Sequence, residues 1–213
     1  MQHILILGAG LSASSLIKYL LEKSEKYDWQ IRLGDLSLET AMAKIDNHPR
    51  GEAFYFNVDD DVQCRAEVAN ADIVVSMLPA ALHFRVARAC VDLSKNMVTA
   101  SYVSPQIEAL NDEAIAKNVL ILNEIGVDPG IDHMSAMQVI DRIKAEGGEI
   151  SNFQSSTGGL VAPKYDNNPW NYKFTWNPRN VVLAGQGGAS CFIDHKEYKY
   201  VPYNRLFGRL YTT

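Results

Sequence analysis

The stretch that decides the fold is Ile4–Ala13, ILILGAGLSA. Four apolar residues run into Gly8-Ala9-Gly10, and an amphipathic pattern over Ser12–Glu22 follows at once. An apolar run without polar alternation reads as a strand covered on both faces, and the new period after the glycines reads as a helix. Each small residue has a physical task. Gly8 permits the tight turn, Gly10 lets the main chain approach a pyrophosphate, and Ala13 allows the helix to pack close to the strand. Amide N–H groups and the positive end of the helix would hold the anion.

Outward from this unit the same alternation continues. Gln30–Leu33, Ala53–Phe56, Ile73–Met77, Met97–Ala100 and Val119–Leu122 are further strand candidates. Helical patterns at Leu38–Ile45, Ala80–Leu93 and Ser104–Lys117 lie between them. Strands separated by helices predict an α/β fold, a Rossmann-like doubly wound parallel sheet. At the end of the second strand stands Arg32-Leu33-Gly34-Asp35-Leu36. A carboxylate there can accept hydrogen bonds from the adenosine ribose and would repel a 2′-phosphate, and no Arg follows it, so NAD is expected in preference to NADP. The competing reading makes Asp35 a helix cap.

Residues 123–137, NEIGVDPGIDHMSAM, follow the last of these strands. Asp128 reads as an N-cap, Pro129 suits the first helical position, and Ile131, Met134, Met137, Ile140 and Ile143 share one face. Gly147-Gly148 would end that helix. Glu124, Asp128, Asp132 and His133 therefore fall at the carboxyl edge of the sheet, where open α/β folds bind ligands. A turn and a helix start separate them, and hydride transfer needs no metal, so no metal site is expected. Asp128 is left as a substrate or catalytic contact, or as a helix cap.

After Gly148 the character changes. Ile150–Ser155 alternates like a strand, residues 163–178 are polar and aromatic with three prolines, and strand-like runs return at Val181–Ala184, Ser190–Ile193 and Tyr198–Val201. Trp170, Tyr172, Phe174 and Trp176 suit strand packing or an interface. The expected organisation is a dinucleotide-binding domain over 1–127 and the start of a substrate-binding and dimerisation domain over 128–213, of α+β type with a mixed or antiparallel sheet.

Among 213 residues, 47% are apolar and 21% charged, and the net charge is −5. This is ordinary for a soluble globular protein and argues against nucleic acid or an anionic membrane as a partner. The apolar run after His3 is too short for a signal peptide or a membrane span. Cys64, Cys90 and Cys191 are far apart and odd in number, which fits reduced thiols in a cytoplasmic protein.

Ser76-Met77-Leu78-Pro79, residues 99–105 (TASYVSP), residues 123–137, residues 155–163 (SSTGGLVAP) and residues 168–184 (NPWNYKFTWNPRNVVLA) together resemble the saccharopine dehydrogenase family, in its glutamate-forming type. The resemblance implies oxidation of the secondary amine of saccharopine to an imine, with hydride transfer to NAD or NADP. Water then releases 2-aminoadipate 6-semialdehyde and glutamate. It also implies that Gly8, Gly10, Leu11, Ser12 and Ala13 hold the pyrophosphate, that Asp35 meets the ribose, and that Asn57 and Val58 lie near the adenine. Leu78 and Pro79 would pass under the nicotinamide half. Ser101 and Tyr102 would meet the amino-acid substrate with Asp128 beside the reacting centre, which makes Tyr102 and Asp128 the candidate catalytic groups. A homodimer is expected. A carboxynorspermidine-type dehydrogenase and a dinucleotide-binding module without turnover are the alternatives. Two departures stand out. Thr157 occupies a position where the family carries Cys, and the chain stops at LFGRLYTT (206–213), well short of a family member's length. The expectation is an N-terminal portion with a truncated second domain, lacking a substrate-binding Arg.

Overall fold

A strand that is apolar on both faces is stable only inside a sheet covered from both sides. The computed structural model of the chain describes residues 1–155, 161–174, 178–179, 189–193 and 196–200. Within it, β1 (Gln2–Leu7), β2 (Trp29–Asp35), β3 (Gly51–Tyr55), β4 (Ile73–Ser76), β5 (Asn96–Val98) and β6 (Ile121–Leu122) form one sheet in the order β3-β2-β1-β4-β5-β6. Every neighbouring pair is parallel. Alternate residues of β1 serve opposite cores. Leu5 and Leu7 pack with Phe56, Val68, Val74, Val86, Cys90 and Met97, whereas Ile4 and Ile6 pack with Ile17, Leu21, Ile31, Leu33 and Ile45.

The chain steps outward from β1 to β3 and then returns to lay β4 on the other side of β1. That reversal opens a crevice at the carboxyl ends of β1 and β4, where Leu7 and Ser76 are register partners. A 3-10 turn, Leu11–Ala13, leads from the glycines into α1 (Ser14–Tyr27). Helix α2 (Leu38–Ile45) is capped by Ser37, whose side chain accepts from Thr40 N, and α3 (Asp61–Ala69) is capped by Asp60 in the same way. Helix α4 (His83–Asp92) follows a short 3-10 turn after β4.

The helical pattern over Ser104–Lys117 is divided into α5 (Pro105–Glu108) and α6 (Asn111–Ala116). Ile107, Leu110 and Ala114 reach the core on both sides of the break. Ile150–Ser155 does not form a strand, since its alternation meets no strand edge and Ile150 and Phe153 are exposed. Helix α7 (Ile131–Ala145) ends as expected, with Gly147 at φ +79° and Gly148 N donating to Ile143 O. Met1–Ser155 is one compact unit and the described residues beyond it belong to a second. There, β7 (Ala189–Ile193) and β8 (Lys196–Tyr200) pair antiparallel. The strand expected at Val181–Ala184, and Thr157, Trp176 and the ending, lie outside the described residues. Among the described residues no helix is long and apolar enough to cross a membrane.

Leu33, fully buried in the second strand, tests this core. Leu33→Ala should cost about 2–5 kcal/mol in urea unfolding, the range for an imperfectly collapsing cavity. A loss well under 1 kcal/mol would place Leu33 outside a packed interior.

Candidate functional site

Gly8 and Gly10 are glycines for different reasons. Gly8 has φ +105°, and a Cβ there would lie 2.6 Å from the carbonyl oxygen of Met77. The β1 turn thus passes directly against the β4 turn, and Gly8 N donates to Gly34 O while Met77 N donates to Leu7 O. Gly10 has φ −65°, and a Cβ there would meet nothing within 4 Å. Packing within the chain therefore does not demand glycine at position 10. Open space above an exposed glycine backbone is the shape a closely approaching pyrophosphate fills. Leu11 and Ser12 are exposed beside it, and Ala13 is buried against the sheet.

Asp35 closes the neighbouring side. Its Oδ2 accepts from Ala9 N at 2.6 Å and its Oδ1 accepts from Ser37 N at 2.8 Å. The carboxylate thus ties the end of β2 to the glycine loop and to the start of α2, although Ser37 rather than Asp35 caps that helix. Each oxygen serves one main-chain donor and keeps a lone pair that a ribose hydroxyl could still reach, so this arrangement by itself does not separate NAD from NADP. Lys44, which the sequence reading passed over, reaches across from α2. Its Nζ donates to Gly10 O at 2.7 Å and to Ser14 Oγ at 2.6 Å. Burial lowers the pKa of this ammonium, and the nearby Asp35 charge opposes the shift.

Asn57 Oδ1 accepts from Asp59 N, Asn57 N donates to Gln63 Oε1, and Val58 is buried in the core. Leu78 is half-buried and Pro79 exposed on the loop between β4 and α4, beside the Gly8 turn.

Ser101 lies one strand further along. Its Oγ is 2.7 Å from Nε2 of His83, whose Nδ1 is 2.7 Å from Ser76 Oγ. His83 is 2% exposed, and burial lowers its pKa to about 4, so at neutral pH it donates to one serine and accepts from the other. Ser101 O also accepts from Glu124 N and Asn123 Nδ2. Sequence reasoning placed His83 only within a helical pattern, since nothing local marks a histidine that bridges two strands' ends. Tyr102, next to Ser101, is 69% exposed.

The loop after β6 corrects one expectation. Asp128 does not cap the following helix. Gly126 N donates to Pro129 O and Ile131 N to Gly126 O, which closes a tight loop before α7 starts at Ile131. Gly130 has φ +146°, and a Cβ there would collide with Gly126 O at 2.2 Å. Asp128 is left exposed ahead of the helix. Glu124 Oε1 accepts from Val103 N at 3.2 Å, so this carboxylate steadies the Ser101–Val103 loop. Ligand atoms of Asp128, Asp132 and His133 lie within 4.8 Å of one another, but Asp132 Oδ1 already accepts from Gly130 N and pairs with His133 Nδ1.

Residues 4–122 match the family model described as saccharopine dehydrogenase NADP binding domain, and residues 126–212 match the saccharopine dehydrogenase C-terminal domain. The chain is 36% identical over 196 residues to a saccharopine dehydrogenase [NADP(+), L-glutamate-forming] of Schizosaccharomyces pombe, covering 92% of this chain and 43% of that protein. It is 39% identical over 168 residues to an alpha-aminoadipic semialdehyde synthase of Arabidopsis thaliana, covering 79% of this chain and 16% of that one. The solved apo saccharopine dehydrogenase (L-Glu forming) of Saccharomyces cerevisiae superposes with a TM-score of 0.80 at 32% identity, over 95% of this chain and 44% of that one. The chain thus spans less than half the length of the curated relatives it matches.

Two outcomes test the geometry. Gly10→Ala should fold as the parent does, by thermal melting, yet bind dinucleotide at least about tenfold more weakly, because its methyl enters the space of the anion. Gly8→Ala should melt lower. A Gly10→Ala chain with unchanged affinity would remove the pyrophosphate from this loop. Second, unfolded His83 takes up a proton at its ordinary value of 6.5 and the folded residue only near 4, so the unfolded state binds more protons between those values. Stability should be complete above about pH 6.5 and fall as pH drops towards 4. Urea titrations of His83→Asn should show a flatter slope in that window; an identical slope would mean that His83 titrates normally.

Proposed function

The chain belongs to the saccharopine dehydrogenase family, and from that premise we propose that it acts as an NAD(P)-dependent oxidoreductase on the secondary amine of saccharopine. The products are 2-aminoadipate 6-semialdehyde and L-glutamate. The observation that carries this reading is the carboxyl edge of the sheet. There the open backbone at Gly10 and the Ser101–Tyr102 loop are set by β1, β4 and β5, strands held in direct register.

The dinucleotide, when bound, supplies the hydride acceptor. Everything else falls to the chain. Gly8, Ala9 and Ala13 spend their main-chain N–H groups on Gly34 O, Asp35 and Gly10 O and so shape the loop, while those of Gly10, Leu11 and Ser12 would meet the pyrophosphate, with no side chain at Gly10 to hold it away. Leu78 and Pro79, beside the Gly8 turn, would contact the nicotinamide half. Ser101, held through His83, presents a hydroxyl to the amino-acid substrate. As carbon gives up hydride, the amine nitrogen gives up its proton and the C–N bond becomes an imine. Water then adds to that carbon, and collapse of the adduct returns a proton to nitrogen as glutamate departs. Asp128, an exposed carboxylate beside this edge, is the group we assign to take and return that proton, with Tyr102 orienting the substrate.

We assign NADP as the cofactor, because the matched domain is an NADP-binding one and the fungal relatives carry NADP(+) in their names. NAD is the competing choice. A homodimer in the cytoplasm completes the proposal, and the free, buried thiols of Cys64 and Cys90 suit a reducing compartment.

Saccharopine-dependent reduction of NADP+ and NAD+, followed at the absorbance of the reduced nicotinamide, is the test. Turnover with glutamate release supports the reading, and Asp128→Asn should then lower kcat by about 10²–10⁴-fold, the usual worth of a positioned acid–base group. Dinucleotide binding without glutamate release from saccharopine would overturn the substrate assignment.

A further inference from the structure

The corner between Asp35 and the glycine loop poses an electrostatic problem for an NADP site. In this fold the adenosine ribose lies at the end of the second strand, so a 2′-phosphate arrives beside whatever side chain ends that strand. Here it is Asp35, a carboxylate. Two like charges at contact distance repel strongly unless a cation stands between or beside them. Residues 34–43, GDLSLETAMA, contain no Lys or Arg. The countercharge cannot come from the loop that follows the strand.

Lys44 supplies it from the far end of α2. Its side chain runs back towards the start of α1, and its Nζ donates to Gly10 O and Ser14 Oγ, at the mouth of the glycine loop. An ammonium group carries three donors. Two are committed to these oxygens, and the third remains for a ligand. The half-buried stem restricts where the charge can go, and Asp35 is close enough to act on it electrostatically. Lys44 is therefore a fixed cation next to the residue that would otherwise exclude a phosphorylated ribose.

We infer that Lys44 is a cofactor-specificity residue, whose ammonium pairs with the 2′-phosphate of NADP and offsets the repulsion from Asp35. This rests on the reading that the glycine loop binds a dinucleotide, and it deepens that reading by naming the determinant of cofactor choice. Lys44 is preferred to Ser37 for this role because Ser37 Oγ is already held by Thr40, through both N and Oγ1. A hydroxyl would also bring no charge against Asp35.

The test is equilibrium binding of NADPH, NADH, 2′,5′-ADP and 5′-AMP to the 213-residue chain and to K44M and K44R, with thermal melting as the check on folding. K44M should lose about tenfold or more for NADPH and 2′,5′-ADP and stay within about twofold for NADH and 5′-AMP, since one charge-assisted bond is removed. K44R should keep most of the affinity for the phosphorylated pair. Raising salt should weaken NADPH binding more steeply in the parent chain than in K44M. Equal losses for NADPH and NADH would overturn the inference and put Lys44 on the pyrophosphate or the loop alone. No loss for either would overturn it as well. A parent chain that binds neither nucleotide would overturn the dinucleotide reading, and this inference with it.

Discussion

The contact on which the structure turns is the passage of Gly8 beneath the carbonyl of Met77. With 2.6 Å between that oxygen and where a Cβ would be, the β1 turn can pass the β4 turn there only without a side chain. The positive φ at Gly8, which glycine adopts freely, turns the chain out of β1 into the loop. Asp35 then fastens the loop from the other side through Ala9 N. Remove either restraint and the chain from Ala9 to Ala13 loses the definition that lets main-chain N–H groups converge on one anion. A carboxylate spent on main-chain donors is thus part of the scaffold of the site, whatever it also offers a ribose.

The same economy governs the neighbouring Ser76–His83–Ser101 chain. Burying an imidazole is costly unless both nitrogens find partners, and here each has a serine hydroxyl at 2.7 Å. Because burial keeps His83 neutral, the network transmits orientation and carries no net charge. It also links α4 to the ends of β4 and β5, so the packing that stabilises the helix also sets the direction of the Ser101 hydroxyl. The loop after β6 adds a further clamp through Glu124, which sits at φ +63° to place its carboxylate on Val103 N.

Much of the sheet was legible in the sequence because burial on both faces writes itself as uninterrupted apolar runs, as at Ile4–Leu7 and Ile73–Val75. The glycine loop was legible for the same reason that it is rigid, since its residue types answer to local geometry. What escaped depends on contacts between distant positions. Lys44 lies 34 residues from Gly10 and His83 lies 18 from Ser101, and neither neighbourhood carries a local mark of the pairing. Asp128 carries the local signal of a cap, since Asp-Pro precedes an apolar period, yet it does not cap the helix. The ring of hydrogen bonds between Gly126 and Gly130 delays the helix by two residues and overrides it. The break between α5 and α6 leaves no mark in the apolar pattern, for Ile107, Leu110 and Ala114 keep the spacing of a single helical face across it.

A chain with a net charge of −5 that is to hold a polyanion must organise its positive potential locally. It can do so in two ways that differ in range and in selectivity. Main-chain N–H groups at the start of α1 act at hydrogen-bond distance on any phosphate and are indifferent to the rest of the nucleotide. A side-chain ammonium acts at one point, and its partner is chosen by where the stem allows it to go. In the proposed site the Gly10 loop would provide the first, common to both dinucleotides. Lys44, braced against the Gly10 carbonyl and set off against Asp35, provides the second, and its position rather than the overall charge of the protein is what can separate one cofactor from the other.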